Sequence, residues 1–205
     1  MKHTLLLSLS LIAASSFRVW ATGAVPEKLQ YEGKQTAMLC QPLEPYLDTL
    51  KERPKEVSGS TLSTCWRGYV GEWRIDGNKL FLVRLGKCLA DGYIPLGKIF
   101  KNASAPVFAS WYSGAIRVGQ GKILEDENAG YAYTYESDLM LLVSKGALIG
   151  AFTVDNRKDA SERVKVFQQA REKFKAAIGA DPVLAADFDR QHGWLRKRAG
   201  LAEGK

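Results

Sequence analysis

The sequence predicts an α+β protein, with a mostly antiparallel β-sheet body, sandwich-like or barrel-like, followed by two C-terminal α-helices. Three observations predict it. Segments rich in aromatic and β-branched residues crowd the region from Thr64 to Val154. Two compact turn signals, Asp76-Gly77-Asn78 and Lys145-Gly146, separate such segments in pairs. After Asn156 the apolar residues begin to recur at intervals of three and four.

The elements follow in order. Met1-Lys2-His3 is a short basic start, and the apolar run "TLLLSLSLIAA" and a small-residue stretch come after it. That pattern predicts a secretory signal peptide over 1–21, cut after Ala21, with Ala24 and Ser16 as alternatives. The run is too short for a bilayer, which needs about 20 residues. The expected mature chain is therefore exported to the periplasm without a transmembrane segment, and no cysteine near the cut suggests a lipid anchor. Residues 22–156 then form a β-rich domain, and 157–205 a helical extension packed on it.

Within the β-rich part, "EGKQTAML" reads as a short strand. "QPLEPYLDTLKERP" reads as a helical turn or two stopped by Pro54, and "KEVSGSTLS" as a loop. The strands are "TCWRGYVGEWRI", "KLFLVRL", "PVFASWYSGAIRV", "YAYTYESDLMLLV" and "ALIGAFTV". With Gly77 and Asn78 as a two-residue turn, Trp73 faces Leu82 and Cys65 faces Ala90. With Lys145 and Gly146 as another, Leu139 faces Phe152, Leu141 faces Gly150 and Val143 faces Leu148, Gly150 leaving room beside Leu141. Apolar residues on both faces of this second hairpin predict a central position covered from two sides. Val164, Phe167, Ala170, Phe174, Ala177 and Ile178 mark one face of a helix that Gly179 ends. Asp181-Pro182 supplies the N-cap and first-turn proline of a second helix reaching about Arg198.

Charge and cysteine bound the function. The formal charge of +7 falls to +5 once Lys2 and Arg18 leave with the signal peptide. That surplus suits an acidic partner or a plain exported surface rather than nucleic acid. Of the three cysteines, Cys65 and Cys88 fall on the same sheet face about 7 Å apart in the hairpin register, closer if a bulge intervenes. They are the preferred disulfide, leaving Cys40 as a free thiol.

No catalytic set assembles from the sequence, and neither a cofactor nor a metal site is expected. His192 is the lone histidine of the mature chain, so zinc sites lack ligands and a serine nucleophile lacks an obvious base. Glu125-Asp126-Glu127 lacks the alternating oxygen ligands of a calcium loop. Glu136 and Asp138 sit two apart on a strand, a spacing that overlaps the carboxylate pairs of glycoside hydrolases and equally fits a solvated face.

Aromatics with interspersed cations are the distinctive feature, because such residues dominate protein interfaces and sugar-stacking surfaces. The candidate partner-binding residues are Arg67, Tyr69, Trp111, Tyr112, Arg117, Gln120, Lys122, Tyr131, Tyr133 and Tyr135. Gly114 would relieve crowding beside Trp111 and Tyr112, while Gly119 and Gly121 would form a turn presenting Gln120 and Lys122.

Four segments, "QPLEPY", "CWRGYVGEWRIDGNKLFLV", "PVFASWYSGAIRVGQGK" and "GYAYTYESDLML", together resemble a family of uncharacterised bacterial β-rich proteins. The resemblance covers well under half of the chain. It implies a β-rich domain without assigned catalytic residues, to which the signal peptide and the two C-terminal helices would be additions. The expected function is a periplasmic binding or interaction protein without catalytic activity, such as an immunity protein masking an envelope-targeted toxin. A cell-wall glycan hydrolase or glycan-binding enzyme using Glu136 or Asp138 with Trp111 as a stacking platform is the alternative from another class. An accessory subunit of an envelope complex is a third.

Overall fold

Residues 24–60, 62–88, 91–101, 103–125 and 133–198 are described by a computed structural model. The expected signal peptide, Tyr131, and the carboxylates Asp126 and Glu127 lie outside these residues. The fold is α+β: a nine-stranded, mostly antiparallel sheet followed by two long helices. No helix among the described residues is long and apolar enough to cross a membrane.

The chain enters through β1 (Glu27–Tyr31) and turns at Glu32-Gly33, where both residues take positive φ, into β2 (Lys34–Met38). Only the second of these strands is legible in the sequence. β1 also pairs in parallel with β3 (Tyr69–Asp76), the one parallel pairing among the described residues. Between them lie a one-turn helix α1 (Glu44–Leu47) and a 3-10 turn at Ser63–Cys65. The strand expected from Thr64 therefore starts five residues later. The cause is Gly68, whose φ of +85° and approach to the Gly59 carbonyl admit no side chain.

β3 and β4 (Lys79–Lys87) form the first hairpin, with Trp73 opposite Leu82 as the turn predicts. A bulge beside Glu72 then shifts the register, so that Tyr69 pairs with Lys87. The expected partner of Cys65, Ala90, lies outside the described residues; Cys65 sits in the 3-10 turn before β3 and meets Cys88 at disulfide distance, with Cα atoms 6.1 Å apart.

Two short strands, β5 (Tyr93–Ile94) and β6 (Val107–Phe108), pair with β4. The segment expected as one strand, "PVFASWYSGAIRV", is split by a turn at Ala109–Tyr112. Its second half begins β7 (Gly114–Glu125). Gly119 and Gly121 do not make a turn. Gly121 sits at a bulge within β7, with φ +79°, and the strand continues past it.

β8 (Thr134–Ser144) and β9 (Ala147–Asp155) form the second hairpin. Val143 faces Leu148 as expected, but a bulge then pairs Leu142 with Gly150, Met140 with Phe152 and Leu141 with Ala151. The space at Gly150 serves α2 rather than Leu141: a Cβ there would lie 2.2 Å from the Phe174 ring.

The strand order is β2-β1-β3-β4-β9-β8-β7, and the sheet does not close. Its two ends approach at one point, where the Leu39 N–H donates to the Arg117 carbonyl at 2.8 Å. One core fills the inner face of the curved sheet, around Leu29, Tyr69, Trp73, Leu82, Ile116 and Leu141. A second lies between the outer face of β7–β8–β9 and the helices α2 (Ala160–Gly179) and α3 (Pro182–Arg198). Phe152, Phe167 and Phe188 meet there with ring centroids 5.4 to 6.0 Å apart. β8 is thus covered from both sides, Leu141 facing one core and Met140 and Leu142 the other.

Candidate functional site: a groove between α1 and α3

Three segments far apart in sequence converge on a groove of about 910 Å³. Residues 39–48 contribute Cys40, Gln41, Glu44 and Asp48, the loop before β7 and its first residues contribute Tyr112, Ser113 and Ala115, and α3 contributes Asp187 and Arg190. Two of the distinctive sequence segments, "QPLEPY" and "WYSG", form its walls.

Each wall is fixed by chemistry from behind. α1 is too short to hold itself, so burial of Leu43 and Leu47 anchors it. The Trp111 indole N–H donates to the Pro42 carbonyl at 2.9 Å, and its ring packs with Phe100 and Tyr46 at centroid distances near 5 Å. Glu44 accepts both guanidinium arms of Arg53 at 2.8 and 2.9 Å and the Tyr69 hydroxyl at 2.7 Å. Burial alone would raise the Glu44 carboxyl, but these bonds hold it below its ordinary range. On the other wall, Asp181 accepts from the Val183 and Leu184 amides, from Ser144 Oγ at 2.8 Å and from Ser113 Oγ. It therefore caps α3 and ties it to the sheet. Asp187 accepts the Ala115 amide at 2.8 Å and pairs with Arg190.

The groove holds two potential nucleophiles, and both are disarmed. Ser113 Oγ is engaged by Asp181 and by the Lys145 amide at 3.0 Å. Burial pushes the Cys40 thiol up to about 12, against a hydrogen bond from the Tyr112 hydroxyl. Three carboxylates line the groove: Glu44 is neutralised by Arg53, Asp187 pairs with Arg190, and Asp48 is exposed.

The residues expected to bind a partner do not form one patch. Tyr112 lines the groove but is only 6% exposed, and Trp111 supports it. Arg67 and Tyr69 are buried at 0% exposure, which corrects their reading as surface contacts. Arg67 pairs with buried Glu27 at 3.0 Å and donates to the Val25 carbonyl, while Trp73 donates to Glu27 at 2.8 Å. Burial pushes the Glu27 carboxyl up, and Arg67 and Trp73 act against that. Arg117 is largely buried, bound to Asp138 at 2.9 Å and to the Tyr133 carbonyl at 2.6 Å.

Asp138 also accepts from Asn156 at 2.8 Å, whereas Glu136 Oε2 accepts the Lys122 amide. The two carboxylates thus have separate structural partners and are not presented together. Gln120 and Lys122 are exposed on the far half of β7, where Tyr133 and Tyr135 pack edge to face at 6.4 Å, away from the groove-lining residues. Among the described residues no three His, Cys, Asp or Glu side chains gather as metal ligands.

Sequence reasoning missed Glu27, Glu44, Asp187 and Arg190. Glu27 carried a signal, since it shares the period-two phase of Leu29 and Tyr31 in β1. Asp187 and Arg190, three apart on a helix, look like any exposed pair.

No protein family, no curated protein and no solved structure matches the chain.

Proposed function

We propose that this is an exported binding protein that acts in the periplasm by engaging a protein partner, in the manner of an immunity protein masking an envelope-targeted toxin. The observation that carries this reading is the groove between α1 and α3. It is roomy and braced on both walls by hydrogen bonds to buried groups, its potential nucleophiles are disarmed, and it carries the exposed carboxylate of Asp48 beside two that already have arginine partners. A site of that kind is suited to hold rather than to react. The exposed Asp48 carboxylate favours a partner segment that brings a lysine or arginine to it.

Site-specific photo-crosslinking tests this. A photoreactive side chain at Pro45 or Val183, both exposed at the groove, should trap one envelope protein in the native host. The same group at exposed Gln120 should not. Asp48→Lys should abolish the crosslink while leaving the fold intact. Equal labelling from all three positions, or no protein adduct from the groove, refutes the proposal.

A further inference from the structure

The helices cover the outer face of β7–β8–β9 only, and among the described residues nothing covers the outer face of β1–β4. Two concavities lie there, of about 670 and 370 Å³, and they share Lys28, Gln35 and Glu72, so they run into one trough across β2, β1, β3 and β4. Gly86 keeps its floor low, with Val70 and Val83 beside it.

The walls are polar and organised. Glu72 accepts from Lys28 at 3.3 Å and from Arg84 Nε at 2.8 Å, so one carboxylate serves two cations. Arg84 also lies over the Tyr93 ring, 4.4 Å from its centroid, and so holds upright an aromatic side chain that remains 54% exposed. Lys87 and Asp91 complete that end, and Gln30, Gln35 and Thr36 line the rest. Lys28, Arg84 and Lys87 face Glu72 and Asp91, while Glu27, which also lines the trough, is neutralised by buried Arg67, so one positive charge is left over.

We propose that this trough binds an acidic polysaccharide strand, with a sugar ring stacked on Tyr93, hydroxyls on the glutamine amides and Thr36, and a sugar carboxylate on Lys87 and Arg84. An aromatic platform beside amides and hydroxyls suits a sugar ring, and the excess positive charge suits the carboxylate. The site is separate from the groove between α1 and α3 and shares no lining residue with it, so it stands or falls independently.

The test is calorimetric titration of the purified protein at low ionic strength with a hexamer of galacturonic acid, with neutral cellohexaose and with hexaglutamate peptide. The uronate hexamer should bind with saturation, and the other two more weakly by about tenfold or more. Tyr93→Ala and Arg84→Gln should each weaken uronate binding by about tenfold, the circular dichroism spectrum staying unchanged because both side chains are on the surface. Absence of saturable uronate binding overturns the proposal, as does cellohexaose binding as tightly as the uronate. Hexaglutamate binding equally well would instead mark a surface for acidic protein. Uronate binding that neither substitution alters refutes the assigned site.

Discussion

At the scale of single residues, Glu27 is held from several sides. Its carboxylate neutralises Arg67, accepts the Trp73 indole N–H, and fills the space over Gly71, where a Cβ would sit 2.1 Å from Oε2. Truncating one partner of a buried ion pair leaves the other charge without compensation. Glu27→Ala is therefore expected to destabilise the protein by about 3–5 kcal/mol, read from the urea unfolding midpoint. Gly71→Ala should act in the same direction, because it displaces the same carboxylate. The free thiol gives a second prediction. With its proton held to about pH 12, Cys40 should be alkylated by iodoacetamide at pH 8 roughly two to three orders of magnitude more slowly in the native than in the urea-unfolded protein, as followed by mass spectrometry. At this scale the sequence was a poor guide. Arginine beside tyrosine in "WRGY" has an interface composition, yet Arg67 and Tyr69 are interior, because the partners that admit them, Glu27 and Glu44, come from segments about 40 and 25 residues away in the chain.

At the scale of elements, the joints are more revealing than the strands. Asp181 caps α3 and takes hydroxyls from the loop before β7 and from the end of β8, so one carboxylate fixes a helix to two strands. Burial alone would raise its carboxyl, but those donors hold it below the ordinary 3.8. Its stabilising contribution is therefore fully present above about pH 4, where the unfolded chain's aspartate is also ionised, and is lost as pH falls through the lowered folded value. Asp181→Asn should cost about 1–2 kcal/mol at pH 7 and flatten the loss of stability below pH 4, measured by urea unfolding across pH. Gly150→Ala should lower the melting temperature, since its methyl would enter the Phe174 ring. Periodicity made the helices legible almost to the residue, Ala160–Gly179 and Pro182–Arg198, and both hairpin turns as well. Registers beyond the first pairs were not legible, because each hairpin carries a bulge, at Glu72 and at Leu142, that composition does not announce. β1 was missed for a related reason: its parallel partner, β3, lies some 40 residues onward.

For the whole molecule, the curved sheet divides the protein into a core inside the curve and a core beneath the helices, with the groove at their junction and the trough on the outer face of β1–β4. The Cys65–Cys88 pair ties the start of β3 to the end of β4 across 23 residues. Replacing both by serine should lower stability by about 2–4 kcal/mol, and the unreduced protein should show a single free thiol by mass spectrometry. The α+β class was readable from the change in period after Asn156. The groove was not, because it needs positions near 44, 113 and 187 brought together, and only the tertiary fold does that.

β8 occupies the middle of this arrangement, paired along both edges and buried on both faces, with Leu141, Leu142 and Val143 at 0% exposure. No local fluctuation can hand those amides to water without separating both cores at once. Their deuterium uptake should therefore proceed only through complete unfolding, which makes three consecutive amides an internal gauge of the free energy of the entire chain.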